Sequence, residues 1–153
     1  MTHLSHPDET TQSRRRWMAV LARASADELR AHLADVPALP GHRRLRGPEI
    51  GLVMLRGRMG GDGAPFNLTE ATATRCTVEM EGRMGHATVL GRDMAQAELA
   101  AVLDAGLQSA ALRGPLLAGV VEPLAAAQAE ARAKTARRAE ATRVQFFTMA
   151  TMR

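Results

Sequence analysis

Arg58, Gly60, Gly61 and Gly63 stand in the run RMGGDGAPFN at 58–67, two residues past the apolar stretch GLVML at 51–55. Glycines let a backbone approach a ligand closely, and a guanidinium beside them presents paired N–H groups to phosphate. The run therefore has the parts of an anion cradle. A mononucleotide P-loop needs more: a Lys-Ser/Thr pair and then a helix whose first N–H groups point at the anion. No Lys-Ser/Thr follows here, and the next residues read as a strand, so the P-loop and dinucleotide readings fall. What stays is a glycine-rich strand connection with Arg58 and Arg75 near its two ends.

Other chemistry-bearing residues are sparse. Arg92-Asp93 sits where a strand gives way to a helix, and two readings stay open: a ligand-binding corner, or a helix cap with a flanking charge. Cys76 is the only cysteine, which excludes an intrachain disulfide, a CxxC pair and a cysteine zinc site. Its position in an alternating strand makes it a small buried hydrophobe rather than a nucleophile. His86 has no second histidine at ligand spacing, and His3 and His6 lie in a polar leader. Glu79 and Glu81 share a strand face with nothing to activate, so they read as solvated surface. No Ser/His/Asp set, acid/base pair or metal cluster emerges.

Nineteen of the 20 basic residues are arginine, and the formal charge is +4. That balance admits an anionic partner, but an alanine- and arginine-biased composition explains it as well. Aromatic residues make up 3%, too few to interleave with the arginines as base stacking requires. No apolar run reaches the length of a membrane span. SRRRWMAVLARASA at 13–26 imitates a twin-arginine export signal, but its apolar part is only six residues long before Arg23. A signal h-region takes roughly 7–15. An amphipathic helix and a cytoplasmic protein are expected.

The elements that must position these residues form an α+β domain. Residues 1–12 read as a loose tail, 13–143 as one domain, and 144–153 as a docking tail. Trp17, Met18, Leu21 and Ala22 share a helical face. Ser25 and Glu28 form a capping box opening a second helix, with Leu29, Leu33 and Val36 apolar, so a helical hairpin leads the fold. His42 to Gly47 is a basic connector or first strand stopped by Pro48. Residues 49–58, 72–81 and 84–90 are strands of an antiparallel meander of three to four strands. Thr72, Thr74, Cys76, Val78 and Met80 mark the buried face of the clearest one. Asp93, with Gln96 three residues later, starts a helix whose stripe is Leu99, Val102, Leu103, Gly106, Leu107 and Ala110. Gly114-Pro115 breaks it, and 116–121 is a short apolar segment. The helix over 124–143 holds one bulky apolar residue, Leu124. Beyond it Phe146, Phe147 and Met149 would each forgo roughly 1.5–3 kcal/mol if left in water, so they are expected to dock, either back on the chain's own sheet or on another subunit.

Several stretches together resemble the G-subunit family of bacterial carbon–phosphorus lyase systems, PhnG. They are RWMAVLA at 16–22, EIGLVM at 49–54, RMGGDG at 58–63, FNL at 66–68 with Glu70, and TRC at 74–76. Further along come LGRD at 90–93, AELAAVLDA at 97–105, and Val144 with FFTM at 146–149. They keep the family's order and spacing; Thr69 stands where the family pattern has glycine. The resemblance implies a role in phosphonate use within a complex with H, I and J subunits. In that complex the G, H and I subunits, aided by an ATPase-like L subunit, displace adenine from MgATP with a phosphonate such as methylphosphonate. It further implies that the I subunit carries the nucleosidase chemistry and the J subunit the iron–sulfur step. This chain would bind no cofactor alone, and the I subunit is its expected direct contact. Two other classes stay in view: a free-standing basic module for RNA or another polyanion, and catalysis by this chain alone.

Overall fold

The computed structural model describes residues 9–60 and 62–144. Helix α1 spans Glu9–Leu21 and α2 Ala26–Leu33, followed by strands β1 (Arg43–Arg58), β2 (Pro65–Met80) and β3 (Arg83–Leu90). Helices α3 (Met94–Leu107), α4 (Ala110–Leu116) and α5 (Glu122–Ala141) complete the chain, with a π-helical turn at Leu117–Val121 between the last two. The sheet is antiparallel in the order β1-β2-β3. The α+β expectation, with a helical hairpin before a meander, holds at three strands.

α1 begins at Glu9, so residues 9–12, expected to be loose, are helical; a first-turn carboxylate suits the positive end of a helix. Trp17, Val20 and Leu21 are its buried face. Ser25 and Glu28 form the reciprocal box: Glu28 N–H donates to Ser25 Oγ at 3.2 Å and Ser25 N–H to Glu28 Oε2 at 2.8 Å. That exchange fixes the sharp turn from α1 into α2.

The core lies between one sheet face and α3. Thr74, Cys76, Val78 and Met80 of β2 are buried, as their alternation predicts. From β3 come Gly85, Ala87 and Val89. α3 lays Ala97, Ala101 and Ala105 against them, all fully buried. Such small residues let helix and strand backbones approach closely. The α1–α2 hairpin and α4 close the other side of α3 through Leu21, Leu29 and Leu116.

Three expectations need correction. Pro48 does not stop a strand. β1 runs through it, with register irregularities between Arg44, Arg46 and Glu49; β1 is an edge strand, where a missing N–H is tolerated. β2 starts seven residues before Thr72, at Pro65. The helix break falls at Gln108–Ser109, because Gln108 N–H turns back to the Ala105 carbonyl at 3.2 Å and Ser109 N–H to Gly106 at 2.9 Å. Pro115 rides inside α4, where it removes one backbone donor, and the chain rewinds at once into the wider π turn.

The helical run Ala110–Ala141 is, by length and composition alone, long and apolar enough to cross a membrane, although no single unbroken apolar run of that length stands in the sequence. Its Leu116, Val120, Val121 and Leu124 are buried in the domain core. α5 otherwise projects: Leu124 is its only buried residue, and every residue from Ala129 to its end is exposed.

Candidate functional site

The glycine-rich loop is the tip of the β1–β2 hairpin. Gly60 has φ +63°, a value that favours glycine. Gly63 N–H donates to the Met59 carbonyl at 2.9 Å, and a Cβ at 63 would press on that same carbonyl. Arg58 Nη1 donates to the Gly63 carbonyl at 3.2 Å. These bonds close a bend, so Gly60 and Gly63 serve the turn. Gly61 lies outside the described residues.

Arg58 and Arg75 are not brought together. Arg58 pairs with Pro65, and Arg75 lies ten residues further along β2, opposite Glu49. At about 3.3 Å per residue that is roughly 30 Å. The Arg75 guanidinium lies over Gly51, whose Cβ would meet Nη2 at 3.4 Å. At the strand-to-helix corner the capping reading holds: Asp93 Oδ1 accepts the Gln96 N–H at 2.9 Å. The Gln96 side chain does not return the bond; its Nε2 donates to the Ala22 and Ala24 carbonyls at 3.2 and 2.6 Å, tying α3 to the α1–α2 turn. Arg92 is exposed beside this cap. The described ones among the predicted loop and corner residues thus occupy a hairpin tip, a sheet face and a helix start, and are not gathered in one place. Phe146, Phe147 and Met149 lie outside the described residues.

Two polar centres, one buried and one partly buried, lie outside the candidate site residues read from the sequence. Asp104 is fully buried in α3. Its Oδ1 accepts from Arg14 Nε at 3.1 Å and Trp17 Nε1 at 2.9 Å, and its Oδ2 from Arg14 Nη2 at 2.7 Å and the His86 N–H at 2.9 Å. One carboxylate thereby joins α1, β3 and α3. The only signals for it are an acid inside an apolar helix and a single tryptophan whose ring N–H needs an acceptor.

Glu98 is the second centre. Arg44 Nε and Nη2 donate to its two oxygens at 2.6 and 2.7 Å, and His42 Nε2 lies 3.2 Å from Oε1. The Arg44 bonds, followed by those of His42, hold the Glu98 carboxyl below its ordinary range against the opposing effect of burial. A depressed carboxyl contributes stability above its unfolded pKa, and that contribution disappears as pH falls through the folded value. Arg44 is mostly exposed, which screens the pair. Glu98→Gln is therefore expected to shrink the acid-induced loss of stability by about 0.5–1 kcal/mol, read from urea unfolding at neutral and acid pH; equal slopes for both proteins would refute it.

Cys76 lies beneath this pair. Burial, and then the Glu98 charge, push its thiol up, and Sγ donates to the Arg46 carbonyl at 3.5 Å. The thiolate is thus suppressed at neutral pH. A thiol-exchange reagent is expected to leave the native protein unmodified for at least roughly tenfold longer than the urea-unfolded chain; equal rates would show an accessible nucleophile. Glu79, read as solvated, accepts from Arg43 Nη2 at 2.9 Å and from the Gly82 N–H at 2.9 Å, so it braces the β2–β3 turn. His86 Nδ1 lies 3.1 Å from Thr77 Oγ1 on the outer sheet face.

Among the described residues no group of three or more His, Cys, Asp or Glu side chains is placed to hold a metal ion. Asp93, Gln96, Asp104, Glu98 and Glu79 are committed to caps, turns and inter-element ties, whereas Arg75 and Arg92 are exposed. A cleft of about 330 Å³ between α1 and α4 is lined by Ser13, Arg16, Trp17 and Arg113. Arg16 there is held bidentate by Glu122 at 2.7 and 2.8 Å.

Fold and site together define a small α+β protein in which Asp104, Glu98, Asp93 and Glu79 tie its elements together or cap them. Residues 12–151 match the family model described as phosphonate metabolism protein PhnG. The chain is 47% identical over 143 residues to the alpha-D-ribose 1-methylphosphonate 5-triphosphate synthase subunit PhnG of Rhizobium meliloti (strain 1021), covering 93% of this chain and 91% of that relative. The chain belongs to the PhnG family of phosphonate metabolism proteins.

Proposed function

We propose that this chain is an accessory subunit of a complex that displaces adenine from MgATP with a phosphonate, methylphosphonate included, to give a ribose 1-phosphonate 5-triphosphate. The observation that carries this is the 47% identity to a named subunit of a ribose 1-methylphosphonate 5-triphosphate synthase, spread over nearly the whole of both chains. The accessory role is supported by polar groups that tie elements together, Asp104 and Glu98 above all, and by a lone thiol held protonated. In this reading the chain works in the cytoplasm and binds no cofactor by itself; MgATP is the complex's substrate. It sits with H, I and J subunits, contacts the I subunit directly, and depends functionally on the L subunit. Phe146, Phe147 and Met149 dock on that I subunit.

Reconstitution tests the reading. The H, I and L subunits with MgATP and methylphosphonate are assayed for free adenine, with and without this chain. Adenine release is expected to fall at least a hundredfold without it, about 2.7 kcal/mol in barrier terms, and the chain alone is expected to release none. Release by the isolated chain would overturn the accessory role, and undiminished release in its absence would overturn membership of the catalytic assembly. Deleting 144–153 is expected to abolish co-purification with the I subunit.

A further inference from the structure

The third strand covers only part of the hairpin. β3 pairs with β2 as far as Leu90↔Ala73, whereas β1 and β2 continue from Gly51↔Ala73 to Arg58↔Pro65. The β1 residues 51–58 therefore belong to a two-stranded ribbon that extends about 25 Å past the sheet. A ribbon of two strands is marginal in water without a third strand or a covering surface.

One row of side chains along this ribbon is exposed throughout: Ile50, Leu52, Met54, Arg56 and Arg58. The intervening Gly51, Val53, Leu55 and Gly57 are half-buried. Leu52 is 61% exposed and Met54 48%, two large apolar groups in succession on one face. The next two positions are guanidinium groups. Arg58 commits a single Nη to the hairpin turn, and neither arginine has an ion pair among the described residues. The row thus changes from apolar at the root to cationic at the tip.

We propose that this row is a docking surface for a different protein chain, one presenting an apolar patch whose outer edge carries carboxylates. The complementarity is positional: apolar side chains cover Leu52 and Met54, and Asp or Glu meets Arg56 and Arg58. A second copy fits poorly. Antiparallel pairing of two such rows about Met54 sets Arg56 against Leu52 and Arg58 against Ile50, leaving the cations without acids. A nucleic acid fits poorly too, because the row has no aromatic ring for stacking and Glu70 lies directly across from Met54. The inference rests on the subunit reading above and names the surface that reading needs.

The test uses the full chain co-expressed with the H, I and J subunits. A photo-crosslinking residue replaces Leu52 or Met54, and Arg56→Glu/Arg58→Glu is made separately. Crosslinks are expected to map to a segment of another subunit that contains Asp or Glu. The charge reversal is expected to weaken assembly at least tenfold while Arg56→Lys/Arg58→Lys stays within about threefold, and the difference should shrink at about 0.5 M salt. Because these side chains are exposed, far-UV circular dichroism and the unfolding midpoint should not move; if the charge reversal does disturb folding, the crosslinks decide alone. Crosslinks to a second copy or to nucleic acid, or no crosslink at all, would overturn the docking surface. Normal assembly by the folded charge-reversal variant would do the same and leave the subunit reading intact. Failure of the wild-type chain to assemble would overturn both.

Discussion

Asp104→Ala is expected to destabilise the folded chain by about 3 kcal/mol. For a chain of 153 residues that corresponds to a fall of roughly 6–12 °C in the unfolding midpoint. The substitution strands donors that nothing else in the core can satisfy. Trp17 is 3% exposed, so its ring N–H would lose its acceptor without gaining water, and the His86 N–H of β3 would lose its bond to Oδ2. Arg14 limits the damage: its side chain is about a third exposed and it keeps a bond to the Met84 carbonyl at 3.2 Å. That is why the figure sits at the low end of the range for breaking a buried ion pair. Asp104→Asn should recover only part of the loss, since its amide nitrogen would face a donor on one side. Arg14→Met should cost much less in the Asp104→Ala background than in the wild type, the signature of a shared network. Urea unfolding monitored at Trp17 measures all of these, and a loss below about 1 kcal/mol for Asp104→Ala would show the carboxylate to be replaceable.

The contrast between Asp104 and Asp93 shows what is legible in the sequence. Asp93 caps a helix three residues away, so its role is local and can be read from spacing. The donors to Asp104 lie 90, 87 and 18 positions away, and no local pattern announces them. The sheet divides in the same way. The buried end of β2, from Thr74 to Met80, alternates because one face meets α3. Its outer half, 65–71, is exposed or half-exposed on both faces, so the period of two vanishes and the strand reads seven residues short. Pro48 and Pro115 both read as breaks because proline removes a donor. One lies on an edge strand and the other beside a π turn, where that loss is tolerated. Arg58 and Arg75 look like neighbours because they flank one loop in sequence. In an antiparallel hairpin the residues that meet are those equidistant from the turn, so Arg58 meets Pro65 instead.

Gly85→Ala is the second large effect, and it tests the close approach of β3 to α3. A Cβ at 85 would overlap the Ala101 carbonyl oxygen and come within 2.7 Å of the Ala105 nitrogen and 2.9 Å of its Cβ. All three atoms belong to α3 backbone or to a side chain with no rotamer to change, so no local adjustment relieves them. The helix has to move as a body. It is held by Gln96 on the α1–α2 turn at one end and by Asp104 on β3 and α1 further along. Moving it would lengthen the bond from His86 N–H, the residue next to the substitution. The expected loss is therefore about 3 kcal/mol or more, the upper end for overpacking, with the variant recovered largely as insoluble protein or with its near-UV tryptophan signal flattened. Two controls separate packing from a general intolerance of alanine. Gly114→Ala meets nothing within 4 Å and should stay within about 0.5 kcal/mol of wild type. Gly119→Ala would press on Val36 Cγ1, a side-chain tip on a partly buried residue that can turn aside, and should fall between the two. A Gly85→Ala protein as stable as Gly114→Ala would mean that α3 and β3 are not in the close backbone contact on which the Asp104 tie depends.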